Sequence, residues 1–331
     1  GTPLGETTSE SGISLGFERI FLTDLLKIYE DKLEPVYSCN IAAPEESVPA
    51  YTCRTPSALV CNTKVARPKV LIPVFPGTNC EYDTAKAFAD AGADPEIYVI
   101  RNRTADEVAR AAEEFARKMG ESQIVFVPGG FSGGDEPDGS GKFITAFFRG
   151  EAVREQVARL LEERDGLMGG ICNGFQALIK LGLVPYGKII ETDENCPTLT
   201  YNNIARHQSR IVRVRVASVK SPWLAGVEAG EIFSVPISHG EGKFVASDAL
   251  IKQLAENGQI MTQYVDLNGN PTMDVHFNPN GSASAIEGIL SPDGRVFGKM
   301  GHSERKGYGL YRNVPGEYDM KLFESAVKYF K

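Results

Sequence analysis

Leu167-Met-Gly-Gly-Ile-Cys-Asn-Gly-Phe-Gln176 joins an apolar run, a cysteine set between glycines and the start of a helical pattern. That order reads as a buried strand, a very tight turn and a helix, with Cys172 at the apex. It is the cysteine form of the nucleophile elbow, G-x-C-x-G. The apex residue of such a turn is forced into strained backbone, so its neighbours at Gly170 and Gly174 must be small. The elbow lifts the sulfur out of the sheet toward a cleft, with the positive end of a helix behind it. Most free cysteines are packing residues, but packing alone does not ask for glycine at both i−2 and i+2.

Working outward, Val70-Leu-Ile-Pro-Val-Phe75 is a continuous apolar run, as expected for a strand buried on both faces. The turn Pro76-Gly-Thr-Asn79 and a helical pattern over 81–91 follow. Next come a strand near 96–100, a charged helix near 105–118 and a third buried strand, Gln123-Ile-Val-Phe-Val127. A Gly-rich loop over 129–134 and an interrupted helix reaching Arg164 lead to the elbow strand 167–171 and its helix 173–181. Strand and helix alternate four times. This predicts an α/β fold with a doubly wound, mostly parallel sheet, in which ligands bind beyond the carboxyl ends of the strands. After residue 185 strands dominate: 211–216, 232–237, 260–265 and 296–300, with a closing helix over 318–330. Arg213 and Arg215 share one face of the first of these, which reads as a solvated strand face rather than a basic patch.

Residues 1–66 have a different texture. Phe21-Leu-Thr-Asp-Leu-Leu-Lys-Ile-Tyr29 has a helical period with Thr23 or Asp24 as a possible cap, and polar chain with little periodicity surrounds it. This predicts a linker packing on neighbouring surface, followed by one domain over 67–331. The polar start without an initiator Met is expected of a piece of a longer polypeptide. A net charge of −8 gives no global field toward nucleic acid or anionic membrane. There is no secretory apolar segment and no run of membrane-spanning length. The six cysteines, Cys39, Cys53, Cys61, Cys80, Cys172 and Cys196, lack any C-x-x-C pair, so neither a disulfide framework nor a zinc site is expected, and the compartment reads as cytoplasmic.

A cysteine nucleophile needs a base that takes its proton and returns it to a leaving group, and histidine oriented by a carboxylate is the usual choice. Of four histidines, His239 (with Glu241) and His302 (with Glu304) each follow a strand and offer H-x-E. Spacing does not choose between them, although a terminal strand of an α/β sheet often carries the base, which inclines the choice to His302. His207 and His276 have no such partner and read as surface or packing histidines. The loop Val127-Pro-Gly-Gly-Phe-Ser-Gly-Gly-Asp135 exposes backbone N–H groups suited to an oxyanion, from Gly130 and from Asn173 after the nucleophile. Gly139-Ser-Gly-Lys142 fails the phosphate-loop template, because Glu136 stands where glycine is required and Phe143 where Ser or Thr is. The residues by themselves point to a cysteine enzyme of acyl-transfer type, working through a thioester. A cysteine peptidase on the same elbow, a non-catalytic binding protein with a reactive cysteine and a scaffold that docks a partner are the alternatives.

Together Pro73-Val-Phe-Pro-Gly-Thr-Asn-Cys-Glu81, Pro128-Gly-Gly-Phe-Ser132, Gly169-Gly-Ile-Cys-Asn-Gly-Phe-Gln176, His239-Gly-Glu-Gly242 and His302-Ser-Glu-Arg305 resemble the class I, triad glutamine amidotransferase domain of phosphoribosylformylglycinamidine synthases. The resemblance runs from about residue 68 to the C-terminus. It implies glutamine hydrolysis at Cys172 with His302 and Glu304 completing the triad. Gly130, Phe131, Asn173 and Gln176 are then the oxyanion and substrate contacts, and His239 and Glu241 line the site. No metal or cofactor is implied for this domain. ATP and Mg belong to a synthetase partner that receives the ammonia for purine biosynthesis, and residues 1–66 resemble the linker of the large single-chain form. Ser303 departs from the family pattern, which has proline there, and this puts the rigidity of the local turn in question.

Overall fold

The computed structural model describes residues 1–38, 41–42, 47–132 and 141–331. Cys39 and the loop positions Gly133, Gly134, Asp135, Glu136 and Gly139 lie outside the described residues. The chain divides into two compact units, Gly1–Ala42 and Ala43–Lys331. In the first, β1 (Gly12–Leu15) and β2 (Glu18–Phe21) pair antiparallel and run into α1 (Leu22–Asp31). None of the α1 residues is buried, and the helix starts on Phe21 with no side-chain cap, so Thr23 and Asp24 lie inside its first turn instead of capping it.

In the second unit the alternating pattern folds as β3 (Lys69–Val74), α2 (Glu81–Asp90), β4 (Asp94–Val99), α3 (Ala105–Glu121), β5 (Ile124–Val127), α4 (Lys142–Arg149), α5 (Glu151–Ala158), β6 (Leu167–Ile171), α6 (Asn173–Leu181) and α7 (Leu183–Tyr186). Thr104 caps α3 by accepting from the Glu107 N–H, one of the donors a helix start leaves unpaired. Gly150 is the break between α4 and α5. The remaining elements are β7 (Thr198–Thr200), β8 (Gln208–Val216), β9 (Ile232–His239), β10 (Lys243–Val245), α8 (Asp248–Glu256), β11 (Ile260–Tyr264), β12 (Ile286–Leu290), β13 (Val296–Lys299) and α9 (Leu322–Tyr329).

Nine of the strands form one sheet in the order β4-β3-β5-β6-β13-β12-β11-β8-β9. It is parallel from β4 to β13 and antiparallel from β13 to β9. The sequence reading omits β12. Its run carries Glu287 at the second position and Gly288 after it, which breaks the apolar signal of a buried strand. Glu287 is nevertheless fully buried, because Lys299 on β13 pairs with it.

Aromatic side chains fill both faces. On one, Phe88, Phe126, Trp223, Phe297 and Phe323 interlock edge-on or tilted, tying α2 and α9 to β5 and β13. On the other, Phe75, Phe115, Phe147 and Phe148 join α3 and α4. The ends of β5, β6 and β13, three adjacent parallel strands, are thereby held between two packed layers. Residues 47–66 belong to the second unit. Cys53 exchanges backbone bonds with Ala217 and Val219 beside β8, and the Asn62 amide donates to Asp165. Arg215 is therefore not on a solvated face: it donates to Tyr51 O at 2.7 Å and to Thr52 Oγ1 at 2.8 Å. Among the described residues no helix is long and apolar enough to cross a membrane.

Candidate active site

Cys172 stands between β6 and α6 with φ +54° and ψ −108°, a conformation that non-glycine residues rarely adopt. The flanking glycines are obligatory for a steric reason. A Cβ on Gly170 would lie 2.7 Å from the Gly174 carbonyl carbon, and one on Gly174 would lie 2.0 Å from Val127 O. The elbow is thus pressed onto the end of β5, and any side chain at either position would push the apex away. The Cys172 N–H donates to Lys299 O at 2.9 Å, which locks the apex to β13. The sulfur is not on an open surface: Cys172 is 3% exposed, and its thiol is directed at Ser238 O, 3.7 Å away.

His302 comes from the turn that follows β13, its N–H donating to Pro236 O on β9. Its Nδ1 and Glu304 Oε1 are 2.6 Å apart, and both side chains are buried. The ring's Nε2 is buried without a hydrogen-bond partner. Gly129 separates the ring from the nucleophile: a Cβ there would lie 2.7 Å from His302 Cε1 and 3.4 Å from Cys172 Cβ. Glycine at 129 therefore lets imidazole and thiol face each other across the end of β5. Burial opposes a charged ring here. The adjacent Glu304 carboxylate, with a smaller contribution from the nearby Cys172 and Cys80 sulfurs, outweighs that penalty and holds the His302 pKa well above its ordinary value. Burial likewise opposes the Glu304 charge, but the imidazolium beside it holds that carboxyl below the usual range.

His239, the other H-x-E histidine, is oriented differently. Its Nδ1 lies 3.1 Å from Asn202 Oδ1, not on Glu241. The Asn202 Nδ2 donates at 2.8 Å to both Arg206 O and His239 O, which leaves Oδ1 as the acceptor. The proton is therefore on Nδ1, and Nε2 is a buried lone pair without a partner. Burial first, then the nearby His302 and His207, pushes the His239 pKa down to about 3. A ring of this kind accepts a hydrogen bond but does not take up a second proton at neutral pH. His207 packs against Phe131 in a tilted contact at 5.8 Å and meets Ser238 Oγ at 3.0 Å. His276 does have a carboxylate partner, Asp274 at 2.7 Å, on an exposed turn remote in kind from the buried pair.

The other sequence candidates also lie at this end of the sheet. Gly130 has φ +146°, and a Cβ on it would meet Gly77 O at 2.6 Å, so only glycine lets the two loops touch. The Phe131 N–H is spent on Gly77 O at 2.8 Å, leaving Phe131 to contribute its ring. Asn173 Oδ1 accepts from the Ser132 N–H at 3.2 Å, and its Nδ2 donates to Gln176 Oε1 at 2.9 Å. Gln176 Nε2 donates in turn to Glu241 O at 2.6 Å. Both ends of the Gln176 amide are thus engaged within the protein, tying the loop after β5 to the turn after β9.

Two residues near the site escape the sequence reading as site residues. Cys80 Sγ is 3.9 Å from His302 Nδ1 and accepts from Arg305 Nη2 at 3.1 Å. Both belong to quoted motifs, but nothing in those motifs says that the segment after β3 and the turn after β13 meet. Cys80, His302 and Glu304 place donor atoms within 4.8 Å of one another, a set of types that zinc accepts. Nδ1 and Oε1, however, are at hydrogen-bond separation, shorter than two ligands of one tetrahedral ion take, and a guanidinium already faces the sulfur. The arrangement suits a shared proton.

A family model described as CobB/CobQ-like glutamine amidotransferase domain matches residues 67–330. Phosphoribosylformylglycinamidine synthase subunit PurQ of Methanococcus maripaludis is 33% identical over 283 residues, covering 80% of this chain and 97% of that protein. The subunit of the same name from Salinibacter ruber is 31% identical, covering 78% of this chain and 95% of that protein. Among solved structures, a chain of PurLQS from Thermotoga maritima superposes with a TM-score of 0.58 at 27% identity, over 80% of this chain and 100% of that one.

Proposed function

The chain belongs to the CobB/CobQ-like glutamine amidotransferase domain family, and from that premise we propose that it is the glutaminase component of a phosphoribosylformylglycinamidine synthase, supplying ammonia for purine biosynthesis. The observation that carries the reading is the buried His302–Glu304 pair, 2.6 Å apart, beside the strained elbow cysteine. Cys172 Sγ attacks the side-chain amide carbon of glutamine, and its proton passes to His302. The N–H groups of Gly130 and Asn173 face the developing oxyanion. His302, kept basic by Glu304, returns the proton to the departing ammonia, leaving a glutamyl thioester on Cys172. Water then attacks the thioester with the same ring as base, releasing glutamate and restoring the thiol.

Residues 67–331 are the amidotransferase domain in this reading, and ATP and Mg act in the synthetase that takes the ammonia. The solved PurLQS structure supports a partner of that kind. The reading of the chain as the C-terminal part of a large single-chain synthase rests on residues 1–66, which precede the matched region and include a unit of their own. A diazo-ketone analogue of glutamine tests the chemistry. The expected result is one covalent adduct on Cys172, mapped by mass spectrometry and suppressed by glutamine. An adduct on any other residue, or labelling that glutamine does not slow, overturns the mechanism.

A further inference from the structure

We propose that Lys299 and Glu287, buried together behind the site, are positioning residues that hold His302 against Cys172. This rests on the glutaminase reading and extends it to residues that touch neither substrate nor sulfur. Both side chains are fully buried, with Nζ 3.1 Å from Oε1. Lys299 Nζ also donates to Gly301 O at 2.8 Å and to Ser303 Oγ at 3.0 Å. Glu287 Oε1 accepts from the Gly301 N–H at 2.6 Å, and Oε2 accepts from Thr262 Oγ1. The Glu287 carbonyl takes the Met300 N–H at 3.1 Å.

The residue before His302 is thus gripped at both its N–H and its C=O, and the residue after it at its hydroxyl. A Cβ on Gly301 would lie 2.9 Å from Glu287 Oε1 and 2.5 Å from Val235 Cγ1, so the grip also requires glycine. A buried ion pair contributes little net stability and is often replaceable by apolar side chains. Its use here therefore points to fixing one conformation of the turn. Ser303 fits the same account. Its hydroxyl accepts from Lys299 Nζ and donates to Met320 Sδ at 3.3 Å.

The test uses the full chain with its synthetase, in a Lys299→Met/Glu287→Gln double variant and in Ser303→Ala. The double variant removes both charges together while Gln keeps an acceptor for the Gly301 N–H. Its expected behaviour is a melting temperature within about 5 °C of the wild type and a kcat for glutamine hydrolysis lower by about ten-fold or more, with KM unchanged. The pH profile of Cys172 alkylation by iodoacetamide, which needs no glutamine, shifts as the ring loses its fixed place. Ser303→Ala shows the same signs at smaller amplitude, a kcat loss of about three-fold, and decides the matter if the double variant does not fold. Wild-type kcat and an unshifted alkylation profile in a folded variant overturn the proposal, as does a loss confined to melting temperature. If no variant or wild type turns over glutamine but the alkylation profile still shifts, the glutaminase reading fails while the positioning role stands.

Discussion

Replacing Glu304 by Gln removes one charge 2.6 Å from His302 Nδ1 and almost no volume. The consequence can be scaled inside the same molecule. His239 is as deeply buried as His302 but has an amide oxygen, not a carboxylate, on its Nδ1, and its pKa is pushed from 6.5 down to about 3, chiefly by burial. A fall of that size is worth about 5 kcal/mol against the charged ring. Without Glu304, His302 keeps a burial penalty and loses the largest of the influences that raise its pKa. Its pKa therefore falls, and it holds the thiol's proton less readily for delivery to departing ammonia. General acid–base groups of this kind contribute about 10²–10⁴-fold in rate, so the variant should hydrolyse glutamine at least about 100-fold more slowly. Two assays check this: glutamine hydrolysis with the synthetase present, and NMR titration of the ring in histidine-labelled protein. A Glu304→Gln ring that still titrates above 6.5, or a rate loss below about five-fold, would refute the reasoning.

Stability should depend on acid through His239. The folded ring takes its proton only near pH 3, whereas the unfolded ring takes it near 6.5. The unfolded state therefore binds more protons in between, and stability falls as pH drops below 6.5, by about 1.4 kcal/mol per pH unit. His239→Gln, which cannot titrate, should show a shallower loss of melting temperature between pH 6.5 and 4, and an equally steep loss would mean the ring is not held neutral. Gly174→Ala puts a methyl group 2.0 Å from Val127 O, which forces the elbow to move by about 1 Å. The expected outcome is a loss of about 1–3 kcal/mol in stability and about 100-fold in the rate of Cys172 labelling by the diazo ketone; near-normal labelling would show that the apex tolerates the shift.

The elbow was legible because its chemistry is local. Glycines two residues either side of Cys172 answer contacts made within a few residues of chain and with the adjacent strand, and β5 and β6 are apolar enough to announce themselves. The His302–Glu304 pair was legible for the same reason. What the local pattern withheld were relationships across the sheet. Glu287 reads as a strand breaker until Lys299 stands opposite it. The segment of Cys80 and the turn of Arg305 are more than two hundred residues apart in the chain, yet they meet over His302. His239 and His302 carry the same H-x-E signature; position after a late strand only inclined the choice to His302, and the resemblance made it. Tertiary structure supplies the physical difference: one ring is turned onto Asn202 and kept neutral, the other onto its own glutamate and kept basic. Sequence spacing determines which groups can meet nearby, but the strand order that sets β13 against β6 decides which imidazole reaches the sulfur, because burial and a partner's charge act only between groups that the fold has already brought together.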